Sequence, residues 1–125
     1  MTARLIIQLA ALLGGLGVGI GAFGAHGLRK MLEASGRFET FETAVRYQFY
    51  HALALLAVGI LWHVKPELQS LGTTAWLWLG GVLVFSGSLY VLCLTGITKL
   101  GAITPIGGVL LIAGWIVLLL AARQV

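Results

Sequence analysis

The sequence predicts an all-α membrane protein: an antiparallel bundle of four transmembrane helices, with a short interfacial helix between helices 1 and 2. Three observations carry this. First, Leu5–Ala25, Leu68–Thr98 and Leu100–Ala122 contain no charge, and Tyr47–Val64 is interrupted only by Gln48, His51 and His63. A bilayer crossing needs about 20 predominantly apolar residues, so each stretch is long enough. Second, 59% of the 125 residues are hydrophobic and 10% charged, with a mean hydropathy of +1.01. Soluble domains carry about 25% charged residues. Third, the eight Lys and Arg (Arg4, Arg29, Lys30, Arg37, Arg46, Lys65, Lys99 and Arg123) all fall at span ends or in short loops. Headgroups and the positive-inside bias place cations there. The net charge of +4 therefore speaks for membrane lipids as partners and not for nucleic acid. Four spans exhaust the length, so residues 1–125 form a single integral domain with approximate spans 5–26, 43–64, 74–96 and 103–122.

Span 1 is expected to stay in the mature chain, because an uncharged run of 21 residues exceeds the 7–15-residue core of a signal peptide. His26-Gly27 closes it, with Gly27 expected in the left-handed conformation that commonly ends helices. Leu28, Met31 and Leu32 then share one side and Arg29, Lys30 and Glu33 the other, the pattern of a short helix lying in the interface, ended by Ser35-Gly36. Helix 2 is expected to be capped by Thr40, with Glu42 in its first turn. Phe38, Phe41, Val45 and Phe49 form a stripe at helical spacing. Lys65-Pro66 ends the helix, since the residue before proline leaves the α region. Thr73 or Thr74 is expected to cap helix 3, followed by Trp76 and Trp78 at headgroup level. Helix 3 ends near Gly96. Thr104-Pro105 reads as an N-cap followed by proline at the first helical position. Helix 4 runs to about Ala122, with Trp115 and Arg123 towards its far end.

Helix direction alternates, so the first and third loops share one side with Arg29, Lys30, Arg37, Arg46 and Lys99. The termini and the Lys65 loop share the other with Arg4, Lys65 and Arg123. Five cations against three, or four with the amino terminus, favour a cytoplasmic first loop and both termini outside.

Two groups of residues could carry function. Gly15-x3-Gly19 and Gly17-x3-Gly21 overlap in span 1, and Ala10, Gly14, Gly17, Gly21 and Gly24 follow a near-heptad spacing. Small residues at such spacing let helix backbones approach closely in lipid, within a bundle or between proteins. The second group is polar. Tyr47, Tyr50 and His51 fall within about 100° of one another on helix 2, and an ionisable residue as deep as His51 is a functional hypothesis by default. Gln48 lies among them. His26, Ser86, Ser88, Tyr90, Thr95 and Thr104 occupy the same half of the membrane. Histidine and tyrosine hydroxyls could move protons or hold a polar headgroup or a quinone-like carbonyl. Equally, such side chains bridge helices and only pin a bundle.

Other chemistries have less behind them. Cys93 is alone, which excludes an intrachain disulfide and a Cys-based metal site. His26 and His51 fall short of the three or four ligands of a zinc site, so neither a metal nor another cofactor is expected. No nucleophile elbow or nucleotide-binding loop is present. Glu33, Glu39, Glu42 and Glu67 all lie in loops or at a helix start, which speaks against a carboxylate-driven transporter.

Several motifs also resemble a known family. They are Gly21-Ala22-Phe23-Gly24-Ala25-His26-Gly27, Thr43-Ala44-Val45, Tyr47-Gln48-Phe49-Tyr50-His51-Ala52-Leu53, Phe85-Ser86-Gly87-Ser88-Leu89-Tyr90 and Gly101-Ala102-Ile103-Thr104-Pro105-Ile106-Gly107-Gly108. In these the chain resembles, from about Gly14 to Trp115, the family catalogued as domain of unknown function 423, which includes YgdD-like and YwdK-like bacterial proteins and the animal transmembrane protein 256. Phe41 departs from the tryptophan expected there. The resemblance implies a four-helix protein of the bacterial inner membrane and carries over no catalytic residue. The leading expectation is a non-enzymatic packing, accessory or assembly protein, as a homo-oligomer or part of a larger membrane complex, with span 1 as contact helix. The alternative is a lipid or small-molecule binding or transport protein using the His/Tyr/Ser pocket. A membrane enzyme with His51 as acid–base is the third reading.

Overall fold

In the computed structural model, which describes residues 1–125, five α-helices carry nearly the whole chain: α1 (Ala3–Ala25), α2 (Arg29–Ala34), α3 (Phe38–Val64), α4 (Ser70–Thr95) and α5 (Thr104–Ala121). Short 3-10 turns at Thr98–Ala102 and Ala122–Gln124 flank α5. Counted with its flanking turns, α5 joins α1, α3 and α4 as a helix long and apolar enough to cross a membrane, four in all. At 1.5 Å per residue the 23 residues of α1 span about 35 Å, enough for a hydrocarbon core of about 30 Å.

The helix ends follow local chemistry, with some departures from expectation. Thr2 caps α1, its hydroxyl accepting from the Leu5 N–H at 3.2 Å. Gly27 is not left-handed; the positive φ values belong to Gly36 (71°) and Gly96 (75°), which end α2 and α4. Gly27 instead accommodates the Phe23 ring, 2.7 Å from where its Cβ would stand. Thr40 caps nothing: α3 starts two residues earlier, with Arg37 at the cap and Glu39 in the first turn. The stripe explains this, because Phe38 and Phe41 pack around Leu32 of α2 and draw the helix start outward. Likewise α4 begins at Ser70, and Thr74 lies within it, donating to the Ser70 carbonyl at 3.3 Å. Buried Leu68 and Leu71 anchor that first turn before either threonine. Ile103 takes the cap position of α5, and Thr104 bonds back to Leu100 O at 3.3 Å.

The strongest packing joins α1 to α3, α3 to α4 and α4 to α5, each pair antiparallel. Glycine sets the α1–α3 register. The ring of Phe41 sits on Gly24, Val45 on Gly21 and Phe49 on Gly17. Within the near-heptad row of α1, Gly17, Gly21 and Gly24 are thus turned to α3, with Ala10, Gly17 and Gly24 buried, whereas a Cβ on Gly14 would meet nothing within 4 Å. Between α4 and α5, Gly107 meets the backbone of Phe85, Gly81 receives Leu111, and Gly114 receives the indole of Trp78. Dispersion between such close surfaces holds helices together in lipid, where apolar burial gives no net gain. The main core gathers Ile6, Ala10, Leu55, Val58, Leu71, Ala75 and Trp78 in the half nearer the termini.

Candidate functional site

The polar residues do share one half of the bundle, but they form separate bridges and not one pocket. His51 is buried (4% exposed) in α3. Its Nδ1 lies 2.7 Å from the Tyr47 carbonyl, which can only accept, so the proton sits on Nδ1. Its Nε2 accepts the indole N–H of Trp115 at 3.0 Å. The rings of Trp78 and Trp115 stand edge-on to the imidazole at 5.8 and 5.9 Å, and Tyr47 stacks against it at 6.4 Å. The result is a neutral histidine in an aromatic box, with both nitrogens engaged.

Gln48, also buried, ties three helices together. Its amide donates to Leu13 O at 2.9 Å on α1 and accepts the Tyr90 hydroxyl of α4 at 2.6 Å. Ser86 donates to Ala44 O at 2.7 Å, joining α4 to α3. Ser88 and Thr104 hydroxyls meet at 2.6 Å between α4 and α5, with Phe85 O and Leu100 O as outer acceptors. Two hydroxyl protons serve those three contacts, so the chain points one way or the other at any instant.

The remaining residues stand apart. His26 is exposed beyond the end of α1 and makes no side-chain hydrogen bond, Tyr50 is exposed, and Tyr47 turns its ring onto Phe85 at 4.7 Å. Every buried side-chain nitrogen and oxygen has a partner. No three His, Cys, Asp or Glu side chains converge. Trp78 and Trp115 were absent from the expected site. Depth could have signalled Trp115: it lies 11 residues into α5 and His51 13 into α3, about 16 and 20 Å along parallel helices.

The cavity of note lies elsewhere. A groove of about 520 Å³ opens between α1 and α4, lined by Gly15, Gly19 and Phe23 of α1, Phe41 of α3, and Tyr90 and Leu94 of α4. The Phe41 and Tyr90 rings, 5.3 Å apart, form part of its wall. A Cβ on Gly15 or Gly19 would meet nothing within 4 Å. The two overlapping glycine motifs therefore separate: Gly17 and Gly21 face α3, while Gly15 and Gly19 face open space, as does Gly14.

The family model described as "Protein of unknown function (DUF423)" matches residues 20–108, from the last turns of α1 to the first turn of α5. The chain belongs to the DUF423 family. Similar members extend over nearly the whole length. A UPF0382 membrane protein of Staphylococcus saprophyticus is 45% identical over 122 residues, covering 98% of this chain and 99% of its own. YwdK of Bacillus subtilis, also called a UPF0382 membrane protein, is 44% identical over 119 residues, covering 95% and 96%. A Staphylococcus aureus relative is 47% identical over 118 residues, covering 94% of each. No solved structure matches. With four spanning helices and relatives named as membrane proteins, this DUF423 chain is a multi-pass membrane protein.

Proposed function

We propose that the protein is a non-enzymatic accessory protein of the bacterial cytoplasmic membrane, acting by association with itself or with a larger membrane complex. The observation that carries this reading is the engagement of the deep polar groups. His51 uses both ring nitrogens, Gln48 both ends of its amide, and no buried polar side-chain atom is free. Acid–base or ligand chemistry needs a lone pair or proton facing a cavity, and His51 lines none. A shared His26/Tyr47/His51 pocket loses its support in the same way, because His26 stands exposed outside the bundle.

The contact helix in this reading is α1. Ala11, Val18 and Ala22 are exposed, and with Gly14 they make a small-residue stripe beside the α3 contact, suited to close helix approach. Gly17 and Gly21 serve the internal contact instead. The cation count of five against three or four supports a cytoplasmic first loop with both termini outside.

Native mass spectrometry from lipid nanodiscs tests the proposal. A discrete homo-oligomer or a stoichiometric complex is expected, kept by His51→Gln and lost by Gly14→Leu. A monomer without a protein partner at every protein-to-lipid ratio overturns it.

A further inference from the structure

We infer that the groove between α1 and α4 seats one acyl chain of an anionic phospholipid from the adjoining leaflet, with its phosphate held by Arg37 at the loop end. Depth is the first argument. On α1 the groove runs from Gly15 to Phe23, eight residues or about 12 Å of helix. A single leaflet of hydrocarbon is about 15 Å, half of the about 30 Å core. In the other half, Ile6 and Ala10 of α1 join Leu71, Ala75 and Trp78 of α4 in one buried cluster, so the groove closes at mid-membrane. A spanning helix of a second protein would need a face running the full thickness. An acyl chain entering from one side needs only this half.

Chemistry at the mouth is the second argument. Leu28, just before α2, lines the groove at its loop end. Arg37 precedes α3 one turn above Phe41, and its guanidinium lies 3.7 Å from where a Cβ on Gly96 would stand, beside the end of α4. Arg29 and Arg46 have carboxylate partners in Glu33 and Glu39, at 2.8 and 3.9 Å. Arg37 is partly buried and has none. A guanidinium fork matches a phosphate, and an unpaired cation above an apolar groove favours an anionic over a zwitterionic headgroup. The wall itself is apolar. Its one polar group, the Tyr90 hydroxyl, is turned to Gln48.

Native mass spectrometry decides this in nanodiscs of equal parts palmitoyl-oleoyl phosphatidylglycerol and palmitoyl-oleoyl phosphatidylcholine. One phosphatidylglycerol retained per chain is expected. Gly15→Leu with Gly19→Leu, which fills the groove, should abolish retention at unchanged helicity and melting temperature. Arg37→Gln should abolish the preference for phosphatidylglycerol. Unchanged retention in the filled variant, or equal retention of both lipids by the wild type, overturns the inference. So does loss of a homo-oligomer in place of a lipid, which would make the groove a protein interface. Should the filled variant not fold, photo-crosslinking of the wild type with a diazirine-tailed phosphatidylglycerol decides the matter. Labels on Gly15–Phe23 and around Leu94 support the site; labels confined to the outer face of α5 overturn it.

Discussion

Trp115 donates its indole N–H to Nε2 of His51 at 3.0 Å, bridging α5 and α3, which otherwise barely touch. The Tyr47 carbonyl fixes the imidazole proton on Nδ1, leaving Nε2 as acceptor for that N–H. This is a fastening between helices, made from the residue whose depth most suggests catalysis. A double-mutant cycle with Trp115→Phe and His51→Phe measures it. Interhelical hydrogen bonds in membranes average about 0.6 and reach about 1.7 kcal/mol, and with His51 buried but Trp115 46% exposed this bond should fall within that range. Reversible unfolding in bicelles should show destabilisation by each single change and less than their sum in the double. Strict additivity would mean the bond is not formed in the bilayer.

The spans were legible because hydropathy and length alone define them. What sequence could not give is the rotation of each helix about its axis. Span 1 is small on several faces, so nothing in the chain distinguishes Gly17, under Phe49, from Gly15, in open space. Helix α5 is apolar all round, and that removes the stripe from which a buried face is read. Trp115 was therefore placed only towards the far end of helix 4 and without its partner, while Trp78, expected at headgroup level, is fully buried beside His51. The polar residues were gathered correctly into one half of the bundle, but their division into separate bridges depends on side-chain facing. The helix starts at Phe38 and Ser70 were missed because contacts with Leu32 and around Leu68 and Leu71 extend the helices past their nearest capping residues.

That rotation makes glycine substitutions diagnostic. A Cβ on Gly107 would stand 2.8 Å from the Cα of Phe85, a backbone atom that no rotamer change can move. Overpacking of this kind costs about 1–3 kcal/mol or more. Gly107→Ala should therefore lower the unfolding free energy by at least that much. Gly15→Ala and Gly19→Ala meet nothing within 4 Å and should be neutral or slightly stabilising, through alanine's better helix propensity. The thermal melts of the three variants in the same detergent provide the comparison, and equal effects would contradict the facing described for α1 and α5.

Gln48 offers a sharper test of polar satisfaction. Tyr90→Phe removes the donor to its Oε1 and leaves a buried acceptor unpaired, which costs about 1–3 kcal/mol. Gln48→Leu with Tyr90→Phe removes both partners. Leu13 O still accepts its own helical N–H, so the double variant should be more stable than the sum of the single changes predicts. Chemical unfolding of the four proteins of the cycle reads this directly. A double variant as damaged as the sum would show that the two side chains act independently.

Orientation in the membrane follows from so small a difference in cations that it should be easy to shift. Under the proposed topology, Thr98 lies in the cytoplasm and Glu67 outside. Cys93 is buried, with Sγ 3.8 Å from Arg37 O, so Cys93→Ala gives a background in which Thr98→Cys and Glu67→Cys report separately. A membrane-impermeant maleimide applied to intact cells should label Cys at 67 and spare Cys at 98 until the membrane is opened. Acidic neighbours contribute little to the positive-inside bias, so Glu33, Glu39 and Glu42 do not cancel the cations beside them. Placing three further lysines next to Arg4 would raise the count on the side of the termini from three to six, above the five of the other side. Labelling should then appear at position 98 in a substantial fraction of molecules. If it is insensitive to the added lysines, cation balance does not set the orientation, and if position 98 is labelled in the unmodified background, the proposed topology is inverted.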